Sequence, residues 1–285
     1  MKFILGIFIV TGSVIGGYLG AQGDLLILFQ PFEFLIIFGG AFGALVIGNP
    51  PKVILKIIKG VPALVKESQY TKEMYLELLA LMFSLFAKSR KEGLMALEGD
   101  IEEPQSSELF RAFPKIAQNP PIMEFITDYL RMMVGGNMNP FELENLMDIE
   151  LETYEHDVVA PSEAVQTMAD GLPGFGIVAA VMGVVITMNY ISEPPEVLGH
   201  HIAAALVGTF LGILLSYGFA APMSTALKHK AEAEVKFLGV IKICIMGTLN
   251  GYTPQIAVEF GRKVISSKVR PGFLEVEEYI KRRKQ

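Results

Sequence analysis

Four stretches of the chain are apolar for long enough to cross a bilayer as a helix, which takes about 20 consecutive mostly apolar residues. They are roughly Phe3–Gly20, Phe32–Gly48, Gly171–Ile191 and Ile202–Ala221, and none contains Lys or Arg. The run Leu78–Ala87 is also apolar, but it is short and flanked by Glu77 and Lys88. It predicts the buried face of a helix in a water-facing portion. Helix signals dominate the remaining chain. Asn139 can cap a helix that has Pro140 at its first position and Glu142 in its first turn. That helix is predicted from Pro140 towards Val159, resuming after Pro161. Leu76–Ala87 and Ile122–Val134 are further helix candidates, and Gly135-Gly136-Asn137 stops the latter. No strand alternation is visible. The expected fold is all-α: a polytopic membrane protein with four transmembrane helices and a large helical cytoplasmic domain. Its parts divide as 1–48 (spans one and two), 49–170 (cytoplasmic helical domain), 171–222 (spans three and four) and 223–285 (C-terminal helical region).

Basic residues set the orientation. The connections Ala21–Pro31 and Ser192–His201 carry no Lys or Arg, only Asp24, Glu193 and Glu196. Lys52, Lys56 and Lys59 follow the second span, Lys228, Lys230 and Lys236 follow the fourth, and Lys2 precedes the first. All 24 basic residues therefore fall on one side, which predicts cytoplasmic termini and outward-facing short connections. Met1-Lys2 before an apolar run is also how a secretory signal begins. Phe3–Gly20 is longer than a signal core, and Gly20-Ala21-Gln22 is a poor cleavage site, so a retained span is expected.

Composition fits this mixture. Over 285 residues, charged side chains make up 19 %, against about 25 % in soluble chains, and mean hydropathy is +0.43. A net charge of −6 without a basic stripe argues against nucleic acid. Cys244 is the lone cysteine, and no Cys/His spacing suits zinc. His200-His201 reads as interfacial rather than metal-binding. P-loop, GxGxxG, GxSxG and HExxH patterns are missing, so neither nucleotide-driven transport nor hydrolysis is supported, and no catalytic residues are expected.

Small residues repeat at four-residue spacing on every span: Gly12, Gly16 and Gly20; Gly40, Ala44 and Gly48; Ala179, Gly183 and Thr187; Ala204, Gly208, Gly212 and Ser216. Such stripes allow close backbone approach, either within one subunit, the commoner use, or around another helix in a ring. More telling is what spans three and four lack. No Asp, Glu, Lys, Arg or His occurs from Leu172 to Ser192 or from Ile202 to Leu227; the polar groups singled out within the two spans are the hydroxyls of Thr187, Thr209, Ser216 and Tyr217. A proton path needs a titratable group inside the membrane, so a second polypeptide would have to bring one. Asp170 and Glu33 sit at span edges as interfacial charges.

Several segments carry a resemblance. Ala205–Leu214 (ALVGTFLGIL), followed after seven residues by Pro222, resembles the signature of the MotA/TolQ/ExbB family. Leu172–Val185, Leu249–Lys263 (LNGYTPQIAVEFGRK) and the second span from Pro31 to Pro50 resemble its MotA-like members, so the likeness covers nearly the whole chain. The resemblance implies a flagellar stator subunit of the bacterial inner membrane, not an enzyme. It would form a homo-oligomeric ring, a pentamer, around paired helices of a MotB-like partner that supplies the ion-binding aspartate, and would push on FliG of the rotor. Pro173 and Pro222 match prolines implicated in coupling to the ion site, and a proline inside a helix makes a hinge. Thr209 would face the partner helix, the plainer alternative being a back-bond to its own helix. Arg90 and Glu98, in Ser89–Glu98, and Glu150 match the rotor-facing charges, with Lys88, Lys91 and Glu92 read as a solvated face. Sodium-driven relatives carry a threonine at the position of Ala180, so the resemblance implies that the ion is H+ and that no cofactor is needed. The alternatives are a TolQ- or ExbB-like envelope energiser, against which four spans and Leu249–Lys263 argue, and a sodium-driven stator.

Overall fold

The computed structural model describes residues 2–136 and 139–283, which are helical throughout with short connections. Helix α1 (Lys2–Gly20) is the first span. After it comes a single turn, α2 (Leu25–Leu28), capped by the Asp24 side chain, which accepts from the Leu26 N–H at 2.9 Å. Helix α3 (Pro31–Gly48) is the second span and α4 (Pro51–Ala63) follows at once, each opened by a proline in its first turn, where no donor is lost. Thr71 caps α5 (Lys72–Glu92), and Gly93, at φ 89°, ends it. A 3₁₀ turn (Leu94–Leu97) leads to three short helices: α6 (Glu98–Glu102), α7 (Glu108–Arg111) and α8 (Pro114–Ala117). Asn119 caps α9 (Pro120–Gly135), which stops at Gly136 in the left-handed region, as the two glycines predict; Asn137 lies outside the described residues.

The Asn139 cap forms as a reciprocal box: Glu142 N–H donates to Asn139 Oδ1 at 2.9 Å, and Asn139 N–H donates to Glu142 Oε2 at 3.0 Å. Helix α10 (Pro140–Thr187) then departs from expectation. It neither breaks at Pro161 nor begins afresh at Gly171; one helix of 48 residues carries both Pro161 and Pro173 inside it. Each proline deletes one backbone bond, and helical neighbours on both sides hold the remaining ladder. A 3₁₀ turn (Met188–Tyr190) precedes α11 (Pro195–Ile213). A π-helical segment (Leu214–Ala220) joins α11 without interruption to α12 (Ala221–Leu249), so Pro222 also lies within continuous helix. The chain closes with α13 (Pro254–Val264) and α14 (Phe273–Arg283).

The chain divides into two compact units, Met1–Glu67 with Val158–Lys230, and Ser68–Asp157 with Ala231–Gln285. The first holds the four membrane-crossing helices. It presents Phe8, Leu35, Ile47, Val185 and Leu206 outward, a surface suited to hydrocarbon and costly in water. Its own core is small: Ile37, Ala41, Ala169, Leu172, Ala179 and Ala220.

In the second unit α5 is buried on every side from Met74 to Met82, not along one face as its short apolar run suggests. Helices α8, α13 and α14 pack on it. Phe237 lies against Tyr70 and Tyr75, with ring centroids 5.2 and 5.0 Å away. Cys244 is sealed beneath Gly261, where a Cβ would come within 2.2 Å of its sulfur, and burial pushes its thiol up to about 12.

Candidate ion pathway and coupling site

Spans three and four pack antiparallel with their backbones touching. A Cβ on Gly183 would lie 2.7 Å from the Ala205 methyl, and one on Gly208 would lie 3.1 Å from the Ala180 nitrogen. Further along, a Cβ on Gly176 would be 2.9 Å from the Gly208 carbonyl oxygen, and one on Gly212 would be 2.8 Å from that of Leu172. The stripes on these spans therefore serve packing within one chain. Gly176, which the stripe reading leaves out, is as tight as any. In the second span Gly40 makes room for the Phe175 ring. Gly12, Gly16 and Gly20 of the first span face open space.

Along this seam the predicted residues fall at different levels. Thr187 is buried, and its hydroxyl donates to the Gly183 carbonyl at 2.8 Å, so that oxygen is committed to its own helix. Ala180 sits beside Gly208. Thr209 is next in sequence, roughly 100° around the helix from the Gly208–Gly212 line; it is half-buried, and its hydroxyl has no hydrogen-bond partner among the described residues. The back-bond that was its plainer alternative does not form.

Deeper in the seam lies Pro173. Having no N–H, it leaves the carbonyl of Ala169, four residues earlier, without its helical donor. Ser216 fills the gap from span four, its Oγ donating to that carbonyl at 2.7 Å, with both residues buried. Ser216 lies in the π-helical segment, whose last bond runs from the Ala221 N–H to the Ser216 carbonyl. Pro222 follows immediately. About two turns beyond Ser216, Ser224 donates to the Ser162 carbonyl at 2.8 Å.

The charged residues assigned to the rotor lie in the second unit. Arg90, in the last turn of α5, and Glu98, at the start of α6, are exposed on either side of the Gly93 turn. That turn is braced. Lys88 pairs with Asp100 at 2.6 Å, and Ser107 donates to the same carboxylate at 2.6 Å. Lys88 is thus a structural partner rather than part of a solvated face, whereas Lys91 and Glu92 are exposed and pair only with each other at 3.7 Å. Glu150, on α10, is exposed as a residue, but one oxygen accepts the Tyr129 hydroxyl at 2.5 Å. Burial, and then the Glu150 hydrogen bond, push the Tyr129 phenol well above its usual range.

Two family models match: "Motility protein A N-terminal" over residues 4–93 and "MotA/TolQ/ExbB proton channel family" over residues 117–238. Motility protein A of Salmonella typhimurium is 48 % identical over 99 % of this chain and 95 % of its own length. The chain belongs to the motility protein A family. Chemotaxis protein LafT of Vibrio parahaemolyticus is 38 % identical, covering 98 % of each chain. Among solved structures, the flagellar MotAB stator complex from Bacillus subtilis superposes with a TM-score of 0.72 at 28 % identity, covering 90 % of this chain and 92 % of that one. The C. jejuni MotAB structure gives 0.76 at 23 % identity over 93 % and 96 %, a likeness of fold.

The motility protein A likeness at Leu249–Lys263 has a structural basis. It forms a corner between α12 and α13. Gly251 turns at φ 81°, Tyr252 N–H returns to the Gly247 carbonyl at 3.1 Å, and Thr253 caps α13. Arg262 grips Glu259 through bonds of 2.6 and 2.7 Å and donates to the Pro271 carbonyl at 2.9 Å, tying down the segment before α14. The sequence reading missed Asp100, Ser107 and the pairing of Ser216 with Pro173. The last had a readable signal: a hydroxyl on the span-four stripe facing a span with an internal proline.

Proposed function

We propose that this chain is the membrane-embedded stator subunit of a flagellar motor, working with a MotB-like partner to turn proton flow into torque on the rotor. The observation that carries the reading is a glycine-tight pair of spans with no Asp, Glu, Lys, Arg or His inside the membrane, in a chain of the motility protein A family. Such a pair can shape an ion path but cannot carry a proton unaided. The B. subtilis relative is a complex with MotB, and a partner helix bearing a carboxylate would supply the missing group.

The subunits surround that partner as a homo-oligomeric ring, a pentamer in this reading, in the bacterial inner membrane with both termini in the cytoplasm. Basic residues after spans two and four support the orientation. The ion is H+. Sodium is a hard cation wanting several oxygen ligands; Ala180 has no side-chain oxygen to offer and Thr187 is closed on Gly183, which leaves the Thr209 hydroxyl as the uncommitted one of these three positions. Thr209 stands ready to bond a water or the partner's carboxylate.

Protonation of that carboxylate removes a charge beside spans three and four. Pro173 and Pro222, each lacking one helical bond, are where these helices yield most readily. Their bending moves the second unit, where Arg90 and Glu98 would meet charges on FliG. Charged contacts of that kind favour fast, oriented and reversible engagement, and Glu150 adds its second oxygen. The protein makes and breaks no covalent bond.

The test is rotation. The chain and its MotB-like partner are placed in a flagellated strain lacking stators, and tethered cells are followed with and without sodium. Rotation in both media is expected. Rotation only with sodium would overturn the ion assignment. No rotation, with both proteins in the membrane and a matched rotor, would overturn the stator reading.

A further inference from the structure

Pro173 leaves a carbonyl without a donor, and the replacement donor comes from the other span. The Ala169 oxygen is satisfied by Ser216 Oγ at 2.7 Å, across 47 residues of sequence. Ala169 is 0 % and Ser216 1 % exposed, so no water competes. The surroundings are backbone: a Cβ on Gly212 would press on the Leu172 carbonyl and on Gly176 Cα at 2.8 and 2.9 Å. Ser216 also belongs to the π-helical segment Leu214–Ala220, which ends two residues before Pro222. A π-helical segment inside an α-helix is a local irregularity that concentrates at functional sites.

We propose that Ser216 is a positioning residue of the stator cycle: its hydroxyl latches the Pro173 turn of span three to the π-helical turn of span four, so that the two proline sites bend together and not independently. The inference rests on the stator reading above and adds a residue to it. A proline turn with its carbonyl free could flex alone. With that carbonyl held by the neighbouring span, flexing at Pro173 strains or breaks the bond to Ser216 and so acts on the helix that carries Pro222. Force applied through one span then reaches the other through a single buried hydrogen bond set between close-packed glycines. The latch is local. It touches neither Thr209 nor the seam above Gly208.

The experiment has two arms on the assembled complex with its MotB-like partner. In the first, motors driven by Ser216→Ala and Ser216→Cys are measured at stall and at low load, with stator amount in the membrane quantified. Ser216→Ala should lower stall torque per stator by at least about 2-fold, more than it lowers low-load speed, because load is what the latch bears. Ser216→Cys, keeping a weak donor of similar shape, should fall between. A purely structural serine would lower stator amount and leave torque per stator unchanged, and that result would overturn the proposal. In the second arm the purified complex is melted as a double-mutant cycle with Pro173→Ala, which restores an N–H to the Ala169 carbonyl. Ser216→Ala should lower Tm with Pro173 present and have little effect in Pro173→Ala. An equal loss in both backgrounds would show that the hydroxyl does not serve the proline's carbonyl. If the wild-type pair itself fails to rotate the motor, the stator reading fails in the first arm, while the second still decides whether the bond belongs to Pro173.

Discussion

Tyr129, with 0 % of its surface exposed, donates its hydroxyl to the carboxylate of Glu150 on another helix at 2.5 Å. Glu150 is therefore both a surface charge and an anchor point for α9. Removing the phenol oxygen and removing the carboxylate should have different consequences. Tyr129→Phe loses one hydrogen bond to a charged acceptor, about 1.5–3 kcal/mol, and frees Glu150 to meet a rotor charge. Glu150→Ala leaves a buried phenol without an acceptor. Thermal unfolding of the purified chain should rank Glu150→Ala as at least equally destabilising, and only Glu150→Ala should also reduce torque in a motor assay.

Two glycines make a paired test of packing. Gly212 has backbone on its open side, so Gly212→Ala forces spans three and four apart, an overpacking cost of about 1–3 kcal/mol. Gly239 lies within α12 with nothing within 4 Å of a built Cβ. Gly239→Ala should stabilise by about 0.5–1 kcal/mol through helix propensity alone. Membrane accumulation and Tm should move in opposite directions for the two variants.

Lys242 is the buried member of an asymmetric ion pair. Its side chain is 11 % exposed, while Asp148, 2.5 Å away, is 59 % exposed and Glu144 stands at 3.8 Å. Lys242→Met leaves two carboxylates that water can reach, so it should change stability by less than about 1 kcal/mol. Asp148→Ala leaves a buried ammonium with only the longer contact, so about 2 kcal/mol should be lost. Unfolding of the two single variants and the double decides it; equal losses would show that burial of the lysine is not what sets the balance.

The corner at α13 gives a pH dependence. Two hydrogen bonds from Arg262, outweighing burial and helped by the nearby positive charges, hold the Glu259 carboxyl below its ordinary 4.5. A depressed folded value means that the stabilisation is complete above the ordinary carboxylate range and is lost as pH falls through the lowered value. Arg262→Leu returns Glu259 towards its ordinary value, so acid unfolding should begin at a higher pH than in the parent. An unchanged acid midpoint would show that this pair does not report on folding.

Span length and charge placement made the membrane helices readable, because a bilayer demands about 20 apolar residues and sorts lysines to one side. The Asn139–Glu142 box was readable because capping is local chemistry. The unbroken α10 was not. Proline suggests a stop when its neighbours are unknown, and the donor that meets the carbonyl left open by Pro173 is Ser216, 43 positions away along the chain from that proline. Likewise, nothing local reveals that Lys88 is taken by Asp100 and Ser107 while Arg90, two residues on, is exposed. The charged residues were visible in sequence. Their division into braces and presented groups required the fold.

The single sulfhydryl has a practical corollary. Cys244 lies at 0 % exposure under the backbone of Gly261, with its ionisation pushed up to about 12. Alkylating reagents attack the thiolate, which at neutral pH scarcely exists in that position. The chain therefore arrives silent to maleimide chemistry with Cys244 left in place, and a cysteine introduced at an exposed position outside the rotor-facing charges, such as Lys91, would be its one addressable label for fluorescence or crosslinking in a working motor.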